Sequence, residues 1–130
     1  MKLEDDKHCF ACGSANKAGL GLKFDLNNSI LTTRFTPQKT HQGFKDIVHG
    51  GIIGLILDEV MVNLLWKLNK PAVSAEINLR LKRPAKVGQT LTFSGRIIRE
   101  GGRLIETYGE ALDPGGLIVA SATAKCLKMR

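Results

Sequence analysis

Alternation of apolar and polar residues runs through most of the chain and is typical of half-buried β-strands. It predicts an opening hairpin, with strands over Leu20 to Leu26 and Ile30 to Phe35 joined by a turn at residues 27–29. Longer alternating runs fill the second half of the chain, over residues 73–82, 90–99, 104–112 and 117–127. The breaks Gly101-Gly102 and Asp113-Pro114-Gly115-Gly116 favour hairpins between the last three of these runs.

An apolar segment between the two groups of strands predicts one long helix from about Gly50 to about Leu68. Asn69-Lys70-Pro71 should end it, because proline cannot continue a helix. The helix is apolar on nearly every face, so we expect it to be enclosed. The strand runs leave no room for crossover helices, which excludes a parallel sheet. We predict an α+β fold, an antiparallel sheet around one central helix, in a single domain over residues 1–130 with residues 1–19 as an irregular arm.

One polar residue in this helix stands out. Asp58 follows Ile56 and Leu57, and an ionised carboxylate among such residues is costly to desolvate. A chain that needed only a core would not place it there, so Asp58 is a candidate catalytic residue. The alternative is a buried structural carboxylate satisfied by hydrogen bonds.

The net charge of +7 favours an anionic partner, which means either nucleic acid or a small phosphorylated ligand. We favour the small ligand over nucleic acid, because aromatic residues are few and no basic block is interleaved with them. The acidic start Met1 to Lys7 is unlike a signal peptide, and charged residues interrupt the helix, so we expect neither secretion nor membrane insertion. A cytoplasmic location is therefore predicted.

Cys9, Cys12 and Cys126 form an odd set that favours reduced thiols. The pair Cys9-Phe10-Ala11-Cys12, beside His8, has half the spacing of a zinc site. Because the second half of such a motif is missing, the indication of a metal is weak and we assign no metal ligands, and whether Cys9, Cys12 and His8 bind a structural metal is left open.

Several segments together carry a family resemblance. They are His8-Cys9-Phe10-Ala11-Cys12-Gly13 running into residues 19–22, His49-Gly50-Gly51 with Asp58 nine residues after the histidine, the run Val73 to Asn78, and the hinge Arg83 to Gly88. In this order they resemble the hotdog-fold thioesterases of the phenylacetic-acid-degradation (PaaI-like) type, within the 4-hydroxybenzoyl-CoA thioesterase superfamily. The resemblance spans nearly the whole chain.

The resemblance implies an acyl-CoA thioesterase with a sheet wrapped around its helix and active sites at a dimer interface. Carried onto matching positions, Asp58 would be nucleophile or general base, the Gly50 N–H would polarise the thioester carbonyl, and Ser74 would assist the water. Coenzyme A thioester would be the substrate, with no further cofactor. Some relatives have an asparagine six residues before the histidine, where this chain has Gly43, and whether Gln42 replaces it is open. Without that donor, a non-catalytic acyl-CoA-binding protein is the alternative.

Helix geometry bears on this assignment independently. The N–H groups at a helix start, here those of Gly50 and Gly51, suit an oxygen that becomes negative during acyl transfer. Asp58 lies about 12 Å further along the axis, whereas both groups must come within about 3 Å of one carbonyl. We therefore expect a homodimer in which Gly50 of one chain works with Asp58 and Ser74 of the other. A tetramer built from two dimers, and the acyl specificity, are left open.

Other residues have both a functional and a structural interpretation. His49 could be a base, but a hydrogen bond that fixes the turn into the helix is the better interpretation. Glu59 projects about 100° from Asp58, so we expect it to meet solvent or a basic partner. Ser74 could be an ordinary strand residue. A basic group could either be solvated or bind the coenzyme A phosphates; it comprises Arg80, Lys82, Arg83 and Lys86.

Overall fold

Six strands and one long helix make up the regular structure of the chain. The computed structural model describes residues 2–129. Its elements, in chain order, are β1 (Asp25–Asn27), β2 (Ile30–Phe35), a short 3-10 helix (Lys39–His41), α1 (Gly50–Lys67), β3 (Ala72–Leu81), β4 (Leu91–Gly101), β5 (Leu104–Leu112) and β6 (Ile118–Lys128). The predicted α+β hotdog architecture is confirmed.

All six strands form one antiparallel sheet in the order β1-β2-β4-β5-β6-β3, and α1 packs across one of its faces. The interface between helix and sheet is apolar and removes large side chains from water, which is the main favourable contribution to folding. Its fully buried residues include Ile56, Leu57, Val60, Met61, Leu64, Leu91, Phe93 and Ile105. Enclosure of the helix is incomplete, since Trp66 near its end is 43% exposed.

Two paired glycines let the helix approach the centre of the sheet. Gly95 of β4 lies opposite Gly109 of β5. A Cβ on Gly95 would lie 2.7 Å from the Val60 carbonyl oxygen, and one on Gly109 would lie 3.4 Å from a Leu57 methyl group. The absence of side chains here therefore sets the distance between α1 and the sheet.

The helix ends one residue earlier than predicted, at Lys67, and the reason is local. Asn69 has φ of +60°, the left-handed conformation that commonly follows a helix. The Lys70 N–H donates to the Leu65 carbonyl and the Asn69 N–H to the Trp66 carbonyl, which is the Schellman arrangement. The proline at 71 therefore follows a helix that has already ended.

The predicted strand over Leu20–Leu26 is largely wrong. Only Asp25–Asn27 pair with β2, whereas the Leu20 and Leu22 N–H groups donate to carbonyls of the N-terminal arm, Phe10 and Ala11. The arm thus supplies the partners that a neighbouring strand would have supplied. By contrast, β2 and β5 begin and end where the alternation predicted, and β4 and β6 lie within two residues of their predicted bounds.

Strand β3 is an edge of the sheet, and several of its apolar side chains are exposed. The predicted alternation is interrupted by a bulge between Ser74 and Glu76. Val73, Ile77 and Leu81 are 37%, 40% and 53% exposed. An edge strand with exposed apolar side chains can pair with another chain.

No helix within residues 2–129 is long and apolar enough to cross a membrane.

Candidate active site

The start of α1 is fixed by His49. The His49 ring accepts a hydrogen bond at Nδ1 from the Gly51 N–H at 2.9 Å, and its backbone carbonyl accepts from Ile52. This is the helix-entry hydrogen bond expected of this histidine. Within residues 2–129 the Gly50 N–H donates to no backbone or side-chain acceptor. The first amide of the helix is therefore available to a ligand, and it carries the partial positive charge of the helix terminus.

A cavity of about 620 Å³ opens at this helix start. It lies between the loop before α1 and the end of β3, and the Val48 N–H anchors its wall by donating to the Ala85 carbonyl. Its lining combines apolar side chains with two cations and comprises Gly43, Phe44, Ile47, Val48, His49, Gly50, Ile53, Leu81, Lys82, Arg83, Pro84 and Ala85. Such a cavity suits a ligand with an apolar part and a negatively charged part.

Asp58 occupies the middle of α1 in a mostly apolar setting. Its Oδ1 is buried and has no hydrogen-bond partner within residues 2–129. Burial raises the pKa of this carboxyl above its ordinary value, the Ser74 hydroxyl opposes the rise, and the charge of Glu59 adds to it. An unsatisfied buried carboxylate oxygen is unusual in folded proteins and calls for an explanation.

Asp58 faces the β3–β6 side of the molecule. Ser74 lies opposite Cys126 in the β3–β6 ladder, and its hydroxyl acts to lower the pKa of the Asp58 carboxyl. Burial raises the pKa of the Cys126 thiol, and the negative charge of Asp58 also acts to raise it. The structure thus brings Asp58 and Ser74 together within one chain, as expected from the sequence.

The remaining residues singled out from the sequence fall into two groups. Gly43, His49, Gly50, Lys82 and Arg83 line the cavity at the helix start. Among the described residues, the lining does not include Asp58, Ser74, Gln42, Gly51 or Arg80. Gln42 instead accepts a hydrogen bond from the Asp46 N–H, and Gly51 donates to His49. One chain therefore separates the candidate residues into a group at the helix start and a second group around Asp58.

Glu59 lies on another side of the helix and is partly exposed, as the sequence suggested, but within residues 2–129 it forms no ion pair with a basic side chain. Its carboxylate lies against the N-terminal arm, with Cys9 Sγ 3.8 Å from both oxygens, and it accepts a hydrogen bond from Asn63 at 3.2 Å. Burial, and then the neighbouring Glu59 carboxylate, raise the pKa of the Cys12 thiol. The sequence did not predict this contact, because the arm folds back onto α1 across some 50 residues of sequence.

Sequence reasoning missed this cluster, although a signal for it existed. Glu59 and Asn63 are four residues apart and so share one helix face. These two polar residues stand out on a helix that is otherwise apolar. They could have been predicted to lie close to the Cys9-x-x-Cys12 pair and to form one polar cluster with it.

Comparisons with known proteins show which family and fold the chain belongs to. Residues 45–120 match the family model of the Thioesterase superfamily, and this is more than half of the chain. No curated protein sequence matches. Similar solved structures include the following three. A thioesterase superfamily protein is 24% identical with a TM-score of 0.89, and the match covers 94% of this chain and 61% of that one. A phenylacetic acid degradation-related protein from Ralstonia eutropha JMP134 is 26% identical with a TM-score of 0.75, covering 83% and 85%. A Streptococcus mutans UA159 protein bound to acetyl CoA is 16% identical with a TM-score of 0.78, covering 83% and 88%.

The chain belongs to the thioesterase superfamily, and its fold is the hotdog fold. The resemblance found in the sequence is thereby confirmed for the superfamily and the fold, and the similar structures include a phenylacetic acid degradation-related protein.

Proposed function

We propose that this protein is an acyl-CoA thioesterase, which hydrolyses the thioester of a small or medium acyl- or aryl-acyl-CoA. The observation that carries the proposal is the Asp58 carboxylate, buried beside Ser74 with Oδ1 unpartnered among the described residues. An unsatisfied buried polar group costs roughly 1–3 kcal/mol of stability. Perturbed carboxylates of this kind cluster at functional sites, and this one lies within the segment that matches the thioesterase family.

In the proposed reaction Asp58 acts as a general base. It takes a proton from water as the water oxygen attacks the thioester carbonyl carbon, and the Ser74 hydroxyl orients that water. Negative charge develops on the carbonyl oxygen and is stabilised by the Gly50 N–H. The carbon–sulfur bond then breaks, and the coenzyme A thiolate takes up a proton. Direct attack by Asp58 would pass through a mixed anhydride, which water hydrolyses to the same acid and thiol. Neither route needs a cofactor beyond the substrate.

The proposed site requires two chains. Gly50 and Asp58 are separated by eight residues of one helix, about 12 Å along its axis, so they cannot both reach one carbonyl from the same chain. The uncovered apolar residues of edge strand β3, Val73, Ile77 and Leu81, favour pairing with a second copy. We therefore propose a homodimer in which Gly50 from one chain meets Asp58 and Ser74 from its partner. Two such dimers could associate further.

The cavity at the helix start is the proposed binding place for the acyl-CoA. Gly50 lines it, and Lys82 and Arg83 contribute positive charge that suits the coenzyme A phosphates. The similarity to a Streptococcus mutans protein bound to acetyl CoA supports this choice of ligand. The net charge of +7 would also draw an anionic substrate towards the protein.

A thiol-release screen tests the proposal. Short, medium, long and aromatic acyl-CoAs would be compared with wild-type protein, Asp58→Asn and the matched control Asp25→Asn, which makes the same chemical change on the exposed strand β1. Because general-base catalysis contributes about 10²–10⁴-fold, Asp58→Asn should lower kcat by at least about 100-fold while Asp25→Asn keeps wild-type turnover.

Two outcomes would contradict the proposal. Undiminished hydrolysis by Asp58→Asn would remove Asp58 from the chemistry. Thermal stabilisation by acyl-CoAs without release of thiol would instead identify a non-catalytic acyl-CoA-binding protein. Gly43 favours that second function, because it offers the cavity no side-chain donor.

A further inference from the structure

The cluster of Cys9, Cys12 and Glu59 lies apart from the proposed catalytic groups. Asp58 faces β3 and β6, whereas Glu59, the next residue, faces the N-terminal arm. One ligand atom from each of Cys9, Cys12 and Glu59 lies within 4.8 Å of the other two. The proposed hydrolysis gives these three side chains no role.

The geometry points to a structural zinc site formed by Cys9 Sγ, Cys12 Sγ and the Glu59 carboxylate. Zinc binds thiolate sulfur at about 2.3 Å and carboxylate oxygen at about 2.0 Å, so the ligand atoms of a tetrahedral site lie roughly 3.5–3.8 Å from one another. Cys9 Sγ is 3.8 Å from both Glu59 oxygens. The cluster therefore needs only small side-chain movements to bind the ion.

The charge of the cluster also favours a cation. Within the described residues no lysine or arginine forms an ion pair with Glu59. Next to the cluster is a cavity of about 230 Å³ that Glu4 and Asp5 also line. A divalent ion would compensate this group of acidic side chains and hold both sulfurs as thiolates.

Asn63 provides an independent indication of a ligand. Its amide nitrogen donates to Glu59 Oε1 at 3.2 Å and lies 3.7 Å from Cys12 Sγ, which orients two of the three ligands. Its Oδ1 is buried and has no partner within residues 2–129. Rotation of the Asn63 side-chain amide would turn this oxygen to the cluster as a fourth ligand, and water from the adjoining cavity is the other choice.

The loop that carries the two cysteines is rigidly constrained by its backbone. The Gly13 N–H donates to the Cys9 carbonyl at 2.8 Å. A Cβ on Gly13 would lie 2.5 Å from the Cys9 nitrogen and the Lys7 carbonyl oxygen, so only glycine fits there. This tight turn presents both sulfurs to the same face of α1. Zinc would therefore fix the N-terminal arm to α1 at Glu59, the residue next to Asp58.

Metal binding by the reduced full-length protein tests the inference. After chelator treatment, Zn²⁺ would be titrated in competition with a chromophoric chelator, and Co²⁺ would be used to detect thiolate-to-metal absorption. We expect about one ion per chain and a higher melting temperature with Zn²⁺. Losing a ligand should cost more than the 10–100-fold typical of outer-shell changes, so Cys12→Ser should weaken Zn²⁺ binding by more than about 100-fold.

Two further variants make the test specific to this geometry. Glu59→Gln preserves shape and should weaken Zn²⁺ binding at least about tenfold, even where a cysteine variant fails to fold. His8→Ala should leave binding unchanged, because His8 is exposed and hydrogen-bonded to the Asp6 carbonyl rather than to the cluster. The inference is overturned if reduced wild-type protein binds no Zn²⁺, if Glu59→Gln binds it as tightly as wild type, or if His8→Ala abolishes binding. A Cys9–Cys12 disulfide in protein purified without oxygen would also overturn it.

Discussion

The Gly50→Pro substitution removes the backbone N–H from the proposed oxyanion site and adds the carbons of the proline ring at the helix start. Gly50 is the first residue of α1, a position where proline is well tolerated because the missing N–H has no partner within the helix. Proline also requires an extended residue before it, and His49 already has φ of −59° and ψ of 129°. The substitution should therefore delete the Gly50 N–H and preserve the helix.

The expected effect is on the chemical step. Within the described residues this N–H makes no internal hydrogen bond, so its loss should cost little stability. If it stabilises the oxyanion, removing it should lower kcat by about 10²–10³-fold, equivalent to roughly 2.7–4 kcal/mol of transition-state stabilisation. KM should change much less, because the developing charge exists only in the transition state.

Gly50→Ala is the matched control, since it adds a Cβ but keeps the N–H. That Cβ would lie 2.7 Å from a Leu81 methyl group, at the flexible end of a side chain, and the proline carries the same Cβ. Thiol release under saturating acyl-CoA would be measured for both variants, with thermal unfolding to verify that both are folded. If Gly50→Pro keeps more than about a tenth of wild-type kcat, the Gly50 N–H does not stabilise the oxyanion to the expected degree, and the assignment is refuted. An equal loss in Gly50→Ala would show that steric exclusion, not the N–H, is responsible.

Further predictions concern the proposed site shared between two chains and the Asp58 carboxyl group. Gly50→Pro and Asp58→Asn chains are each expected to be inactive alone, but an equal mixture that exchanges subunits should recover about one quarter of wild-type activity. Half of the dimers would contain one chain of each kind, and each of these has one intact site of two. A mixture that stays inactive would contradict a site shared between chains. Burial raises the pKa of Asp58, so the native state binds a proton more tightly than the unfolded chain, and wild-type stability should fall as pH rises from the ordinary carboxyl pKa through the raised one. The melting temperature of Asp58→Asn minus that of wild type should therefore increase over that pH interval and then become constant. A difference that does not depend on pH would exclude a raised pKa of Asp58. In the same interval wild-type kcat/KM should decline as pH falls, by up to about tenfold per unit, because the proposed base becomes protonated.

The strands that the sequence predicted well are those whose partners are local. Asn28 and Ser29 both have positive φ, which makes the tight turn between β1 and β2 that their position indicated. Gly102 has φ of +60° and turns the chain between β4 and β5. Alternation between such turns fixed the bounds of β2 and β5, since both the turn and the paired strand lie within a few residues.

The features that could not be predicted depend on distant parts of the chain. Leu20 and Leu22 alternate like strand residues, yet their N–H groups bond to the arm. The contact of Glu59 with Cys9 was not predicted, because the neighbours of Glu59 in sequence do not reveal a residue 50 positions away. Periodicity describes which face of an element is apolar, and it carries no information about what will cover that face.

Helix α1 shows how a single element can serve separate sites. A rotation of about 100° per residue directs Asp58 towards β3 and β6 and Glu59 towards the cysteines of the arm, while a rise of about 1.5 Å per residue puts Gly50 far from both. These directions follow from helix geometry alone, so the sequence was sufficient to argue that Gly50 and Asp58 cannot act on one carbonyl within a chain. The surface that would bring a second chain into place needed the structure, because the alternation in β3 does not reveal that Val73, Ile77 and Leu81 are left uncovered. The distance along the helix requires a second chain in the proposed mechanism, and the exposed apolar residues of the edge strand give a physical reason for the proposed association.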